Sequence, residues 1–126
     1  MKKRVSRRWF PVFVYGTLRR GEANHGRLAG ARYVCRAATA ARYELLDLGA
    51  FPALTTGGRT AVVGEVYEVD QATLDRLDLL EGHPGFYRRV FLDLAGGLRV
   101  QGYVLPRTHP LAALRSVIAS GDWKRR

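Results

Sequence analysis

Apolar and polar positions divide the chain into short blocks separated by glycine-rich breaks. Trp9-Phe-Pro-Val-Phe-Val-Tyr15 is rich in aromatic and β-branched residues and stops at Gly16, which predicts a strand feeding a turn. From residue 17 to 30 the glycines Gly21, Gly26 and Gly30 interleave with Arg19, Arg20, Glu22, Asn24 and His25, so a loop is expected there, with one helical turn over 25–29. Residues 31–38 and 40–48 read as two strands, the second carrying Tyr43, Leu45 and Leu46, and Gly49-Ala-Phe-Pro-Ala reads as a break. After the turn Thr55-Thr-Gly-Gly-Arg, residues 61–69 predict a further strand, with Gly64 as a bulge or close-approach point. Asp70 stands where a helix N-cap belongs, and Leu74, Leu77 and Leu80 recur at helical spacing over 71–81 until Gly82. Residues 86–94 and 98–105, on either side of Ala95-Gly96-Gly97, predict a hairpin. Leu111, Leu114 and Ile118 share one face of a short helix over 110–120.

This order of about six strands, one helix and short helical pieces is not an alternating βαβ series. It predicts an α+β fold: a small mixed, mostly antiparallel sheet closing into a β-barrel of about six strands with flanking helices. A length of 126 residues, 47% of them hydrophobic and 10% aromatic, fits one folded domain and excludes a disordered chain. The domain is expected over 9–123, between a basic N-terminal tail (1–8) and a basic C-terminal tail (124–126).

Charge changes this picture less than its total suggests. The formal net charge is +10, from 21 Lys and Arg against 11 Asp and Glu, which invites acidic polymers as partners. Eight of those cations, however, are Lys2, Lys3, Arg4, Arg7, Arg8, Lys124, Arg125 and Arg126, leaving 13 cations against 11 acids in the body. No recognition helix, zinc finger or RNA-recognition signature accompanies the body, so contact with nucleic acid is expected at most weakly and through the tails. Cys35 is the one cysteine, which excludes an internal disulfide and every multi-thiolate metal site and suits a reducing cytoplasm. No apolar run approaches the roughly 20 residues of a membrane span, and Pro11 breaks the first run too early for a signal peptide, so a cytoplasmic protein with no membrane partner is expected.

Two segments could carry chemistry. In Tyr15-Gly16-Thr17-Leu18-Arg19 a strand ends in a glycine able to adopt angles barred to other residues, and consecutive N–H groups there can converge on an anion. The same residues also read as an ordinary strand-to-loop turn. In Leu80-Glu81-Gly82-His83-Pro84-Gly85-Phe86-Tyr87-Arg88-Arg89, Glu81 falls at the helix C-terminus, where the macrodipole and an apolar wall would raise its pKa. A carboxyl group so tuned can take a proton and return it near neutral pH; a solvated helix-end acid is the alternative. His25, His83 and His109 share no metal-ligand spacing, and neither a Walker loop nor a Rossmann glycine pattern occurs. Cys35 reads as a small core residue of a strand, and Ser116 and Ser120 lack a nucleophile elbow.

With YGTLRRGEANHGRL near the start, GAFPAL in the middle, LDLLEGHPGFYRR after the helix and SGDW near the end, the chain resembles the gamma-glutamylcyclotransferase-like superfamily over about residues 11–123. The likeness is to its branch of gamma-glutamylamine cyclotransferase and avirulence-induced-gene-like proteins. It implies a small mixed β-barrel with a cavity for a gamma-glutamyl group, which is cyclised to 5-oxoproline with release of the attached amine, without metal or other cofactor. By the resemblance, Glu81 matches the acid/base glutamate, Tyr15, Gly16, Thr17 and Leu18 match the turn that holds the glutamyl end, and Tyr87 matches an aromatic residue of the cavity. Arg19 is a candidate partner for the substrate's alpha-carboxylate through its planar donor fork, or else a solvated loop residue. Asn24 and His25 match positions that structure the loop. Alternative expectations are a non-catalytic module of the same fold that binds a small metabolite, and a basic-tailed nucleic-acid-associated protein.

Overall fold

The first apolar run of the chain becomes the middle strand of a sheet covered on both faces. The computed structural model describes residues 8–114 and 116–126. Strand β1 (Phe10–Val14) pairs antiparallel with β5 (Val63–Val69) on one side and parallel with β7 (Arg99–Val104) on the other. Its side chains alternate between two cores: Val12 and Val14 face one cluster, Phe13 and Tyr15 the other. A strand buried on both faces needs no polar alternation, which is why its sequence shows none.

The five-stranded sheet is completed by edge strands β2 (Arg32–Ala38) and β6 (Arg88–Asp93), in the order β2-β5-β1-β7-β6. Strands β3 (Tyr43–Asp47) and β4 (Pro52–Thr56) form a separate two-stranded sheet. The mixed, mostly antiparallel α+β architecture is as expected; closure into a barrel is not. The two sheet edges meet only at one corner, where Ala40 N–H donates to Asp93 C=O (2.8 Å) and Ala95 N–H to Ala38 C=O (2.9 Å).

The single α-helix among the described residues, α1 (Gln71–Glu81), starts where Asp70 accepts from Thr73 N–H (2.9 Å) and ends where Gly82 takes the left-handed conformation, φ 67°. It buries Thr73, Leu74 and Leu77, whereas Leu80, expected on the same stripe, turns to the surface. The β6–β7 hairpin turns through Gly96 (φ 92°) and Gly97 (φ 95°), angles that an L side chain would strain.

Three other expectations are corrected, and one pair of alternatives is decided. Strand β4 occupies residues expected as a break and a turn; Pro52 is tolerated because it opens the strand, and burial on β3 outweighs weak local preference. The tail forms only a 3-10 turn at Pro110–Leu114, after which Ile118 N–H donates to Leu45 C=O (2.8 Å) and Val117 bridges Leu46. Burying Ile118 beside β3 pulls the chain out of helical register and leaves Leu114 exposed. Cys35 is exposed rather than in the core, because β2 is an edge strand with a register shift between Tyr33 and Cys35. Gly64 is a close-approach point, not the bulge: a Cβ there would stand 2.2 Å from Val14 C=O.

Residues 1–7 of the basic N-terminal tail, and Arg115, lie outside the described residues. At the other end Trp123 is buried, Lys124 N–H donates to Asp122 Oδ1 (2.9 Å), and the Arg126 guanidinium lies 3.4 Å from the centre of the Trp123 ring. No helix among the described residues is long and apolar enough to cross a membrane.

Candidate active site

The strand β1 delivers the chain to a turn in which the carbonyls of Gly16, Thr17 and Leu18 are all occupied. Tyr15 fixes the exit, its hydroxyl donating to Tyr103 C=O (2.7 Å) on β7 and accepting from Leu54 N–H (3.2 Å) on β4. Gly16 then passes against Pro52, whose Cγ would stand 2.5 Å from a Cβ at this position. Close approach, not a left-handed angle, is thus what requires glycine here, since Gly16 is absent from the positive-φ positions. Arg19 N–H donates to Gly16 C=O (3.0 Å), Asn24 N–H to Thr17 C=O (2.8 Å), and His25 Nδ1–H to Leu18 C=O (2.9 Å). Asn24 Nδ2 also donates to Thr17 Oγ1 (3.0 Å), so Asn24 and His25 do structure the loop. Among the described residues the N–H groups of Thr17 and Leu18 have no acceptor. Two amide donors left open on a pinned turn form a ready site for an oxyanion or carboxylate.

Arg19 stands apart from this arrangement. Its guanidinium is buried, with Nε on Glu65 Oε2 and Nη1 on Asp122 Oδ1, both at 2.8 Å. Glu65 also accepts from Arg20 N–H (2.9 Å) and Tyr67 OH (3.0 Å), and Trp123 Nε1 donates to Glu22 Oε1 (3.0 Å). The C-terminal segment therefore grips the loop from behind, and Arg19 is neither a solvated side chain nor one that lines the cavity. Its hydrogen bonds hold the Glu65 and Asp122 carboxyl groups below the ordinary carboxylate range despite burial.

Helix α1 brings Glu81 to the other side of the same space. A cavity of about 450 Å³ is lined by Tyr15, Gly16, Thr17, Leu18, Glu81 and Tyr87, which are six of the seven site residues expected from sequence, together with Asn24, Phe51, Phe86 and Tyr103. The Glu81 carboxyl group is half-buried and makes no side-chain hydrogen bond among the described residues; burial raises its pKa from 4.5 to about 7. Tyr87, in the same lining, is buried, its hydroxyl donating to Pro52 C=O (2.6 Å), and burial followed by the charge of Glu81 raises its pKa well above the ordinary range. Tyr15 is raised as well, first by burial. Both phenols therefore remain neutral donors, leaving Glu81 as the group in the cavity able to exchange protons near neutrality. Among the described residues no cluster of three or more His, Cys, Asp or Glu is placed to hold a metal ion.

Sequence reasoning missed the phenylalanines of the lining and Tyr103. Phe51 packs edge-on to Phe86 (centroids 6.2 Å apart) and to Tyr87 (6.4 Å), and Phe86 to Tyr87 (4.8 Å). Phe51 lies in the segment expected as a break, and only its place before β4 brings it to the cavity.

Fold and site together define a small α+β protein whose cavity sets one half-buried acid against a turn of open amide donors. A sequence-family model described as gamma-glutamyl cyclotransferase, AIG2-like, matches residues 12–125, and the chain belongs to this family. It is 45% identical over 115 residues to a Vibrio cholerae protein provisionally named gamma-glutamylcyclotransferase, covering 91% of this chain and 96% of that one. It is 37% identical over 112 residues to the gamma-glutamylcyclotransferase family protein YtfP of Escherichia coli K12, covering 89% and 94%. The crystal structure of a mouse AIG2-like protein superposes with a TM-score of 0.73 at 30% identity, covering 81% of this chain and 80% of the other.

Proposed function

We propose that the protein is a gamma-glutamyl cyclotransferase that converts a gamma-glutamyl amine to 5-oxoproline and the free amine, with Glu81 as the acid/base group. The observation that carries this reading is a half-buried, unpaired Glu81 carboxyl group with a pKa of about 7 in the same cavity as the open Thr17 and Leu18 donors. Ionised Glu81 accepts a proton from the substrate's alpha-ammonium, and the freed amine attacks its own gamma-carbonyl carbon. A C–N bond forms, the carbonyl oxygen takes the electron pair, and amide donors of the Gly16–Leu18 turn, typically worth about 3–4 kcal/mol each in such a role, stabilise the oxyanion. Protonated Glu81 then passes its proton to the leaving nitrogen as the original C–N bond breaks. Overall the ring nitrogen keeps one of the three ammonium protons and the other two leave with the amine. A single carboxyl group with a pKa near neutrality suits such repeated traffic.

Because the nucleophile and the carbonyl belong to one molecule, the remaining task is to fold the glutamyl chain into an attack geometry. The turn pinned by Asn24, His25 and the Arg19 clamp supplies a fixed surface for that purpose. No step calls for a metal or a redox cofactor. The test is 5-oxoproline release from a panel of gamma-glutamyl amides by the purified chain and by Glu81→Gln. Release by the wild type that drops about 10²–10⁴-fold in the variant supports the reading. Undiminished release by Glu81→Gln removes Glu81 from the mechanism, and the absence of release from the whole panel removes the activity.

A further inference from the structure

The cavity divides by depth into two chemically different parts. Its buried lining includes Tyr15, Gly16, Leu18 and Tyr87, with the open N–H of Leu18 and tyrosine hydroxyls already committed to backbone carbonyls. Lining residues that are also exposed mark the mouth, and these are Ala23, Ala50, Phe51, Leu80 and Gly82. None of them carries a charge or a side-chain hydrogen-bonding group. Phe86 stands between the two parts, edge-on to Phe51 and 5.0 Å from the ring of His109.

In the proposed reaction the glutamyl end is held at the pinned turn, so the departing amine must extend from Glu81 toward the mouth. A volume of about 450 Å³ falls within the roughly 300–1,000 Å³ of small-molecule sites, which leaves room beyond a glutamyl group. A carboxylate on the leaving amine would meet no cation in the lining, and Glu81, the one acid there, would repel it. An ammonium on the leaving amine would shed hydration against Phe51 and Leu80 without an acid of its own, and would hold Glu81 in its ionised form when it has to carry a proton. A hydrocarbon group suffers neither penalty and covers apolar surface that is otherwise wet: Phe51 is 36% and Leu80 37% exposed.

Resting on the cyclotransferase reading, we infer that the mouth at Phe51 and Leu80, with Phe86 behind them, selects gamma-glutamyl amides of uncharged alkyl or aryl amines over those of amines carrying a second charge. Phe51 and Leu80 are specificity-determining residues in this account, acting on the leaving group and not on the proton transfers.

The experiment measures kcat and KM for three substrates of similar length: the gamma-glutamyl amide of benzylamine, epsilon-(gamma-glutamyl)lysine and gamma-glutamylglutamate. The benzylamide is expected to exceed both charged substrates by about tenfold or more in kcat/KM, the lower end of what a hydrophobic contact yields in discrimination. Phe51→Ala and, separately, Leu80→Ala are expected to raise KM for the benzylamide several-fold and to lessen the penalty on the charged substrates, so that the preference narrows in both variants. Phe51→Leu should restore most of the preference. Two separate variants guard against one that misfolds, and both sites are at the surface. Turnover of the charged substrates equal to or better than the benzylamide overturns the inference and leaves the cyclotransferase reading intact. A preference unmoved by folded Phe51→Ala and Leu80→Ala also overturns the assignment to the mouth. Absence of turnover on all three defeats the cyclotransferase reading and the inference with it.

Discussion

Asp78 and Glu81 lie three residues apart on α1, close to one turn, and the protein treats them in opposite ways. Asp78 is held by the forked guanidinium of Arg89, with Nε at 2.8 Å from Oδ1 and Nη2 at 3.1 Å from Oδ2, and by the Tyr103 hydroxyl at 2.6 Å. Arg89 is itself bonded to Gln101 Oε1, and its N–H to His83 Nδ1 (3.0 Å), so the partner is fixed as well. These hydrogen bonds hold the Asp78 pKa below its ordinary value even though burial opposes them. Glu81 has the burial without the partners, and its pKa rises. Proximity to the same helix terminus therefore decides nothing about a carboxyl group; what decides is whether donors accompany it. One acid is spent on holding α1 to the hairpin, and the other is left available for a ligand.

Activity should separate the two most widely. Glu81→Gln is expected to lose about 10²–10⁴-fold in 5-oxoproline release, whereas Asp78→Asn, which leaves the cavity acid in place, should remain within about tenfold of wild type. The wild-type kcat/KM should fall on acidification below about pH 7, where free Glu81 takes up its proton. Equal losses in both variants would show that the contrast between the acids is not functional.

Stability against pH gives a second separation, with opposite signs. A folded pKa raised from 4.5 to about 7 means that folding favours the protonated form of Glu81. This contribution is whole below the unfolded pKa and is lost as pH rises through the folded one, a difference of about 3 kcal/mol before allowance for partial exposure. Glu81→Gln should accordingly be more stable than wild type at pH 8 and similar to it at pH 4, by denaturant titration at the two pH values. Asp78 behaves in reverse: its stabilisation is present above the unfolded pKa and is lost as pH falls through the depressed folded value. Asp78→Asn should cost about 2 kcal/mol at pH 7, the scale of hydrogen bonds to a charged group. For 126 residues that lowers Tm by roughly 6–10 °C, and the deficit should shrink at low pH.

What the sequence revealed of this arrangement followed from whether the cause was local. Strand β1, α1 between Asp70 and Gly82, and the hairpin across Gly96 and Gly97 are specified by residues within each segment, and each appears where periodicity and capping place it. Strand β4 and the 116–118 crossing form because they are buried against β3, which no local preference signals. The site divides in the same way. The Tyr15–Leu18 turn, Glu81 and Tyr87 stand in recognisable motifs, and the cavity gathers them. Arg19 finds its partners 46 and 103 positions away, so a loop arginine in sequence becomes a buried clamp in space. Separation in sequence also hid the distinct fates of Asp78 and Glu81, since Arg89 and Tyr103, 11 and 25 positions further on, reach Asp78 only after β6 and β7 pair.

The smallest effect is expected where the two acids come nearest to sharing a neighbour. Tyr103 gives its hydroxyl to Asp78 and also lines the cavity, and the charge of Glu81 adds to the factors that raise its own pKa after burial and Asp78. Tyr103→Phe removes the donor to Asp78 but keeps the ring, and the backbone C=O of this residue still accepts from Tyr15. Arg89 continues to hold both Asp78 oxygens, so the loss should be about 1 kcal/mol, the value of one hydrogen bond, in urea titration at pH 7. The acid limb of the rate profile should stay near pH 7, because burial, which this substitution preserves, is what raises Glu81. A limb that moved with Tyr103→Phe would mean that the phenol couples the two carboxyl groups. Asp78 would then be tuning the acid proposed for catalysis, and the division of labour along α1 would have to be replaced by a single shared network.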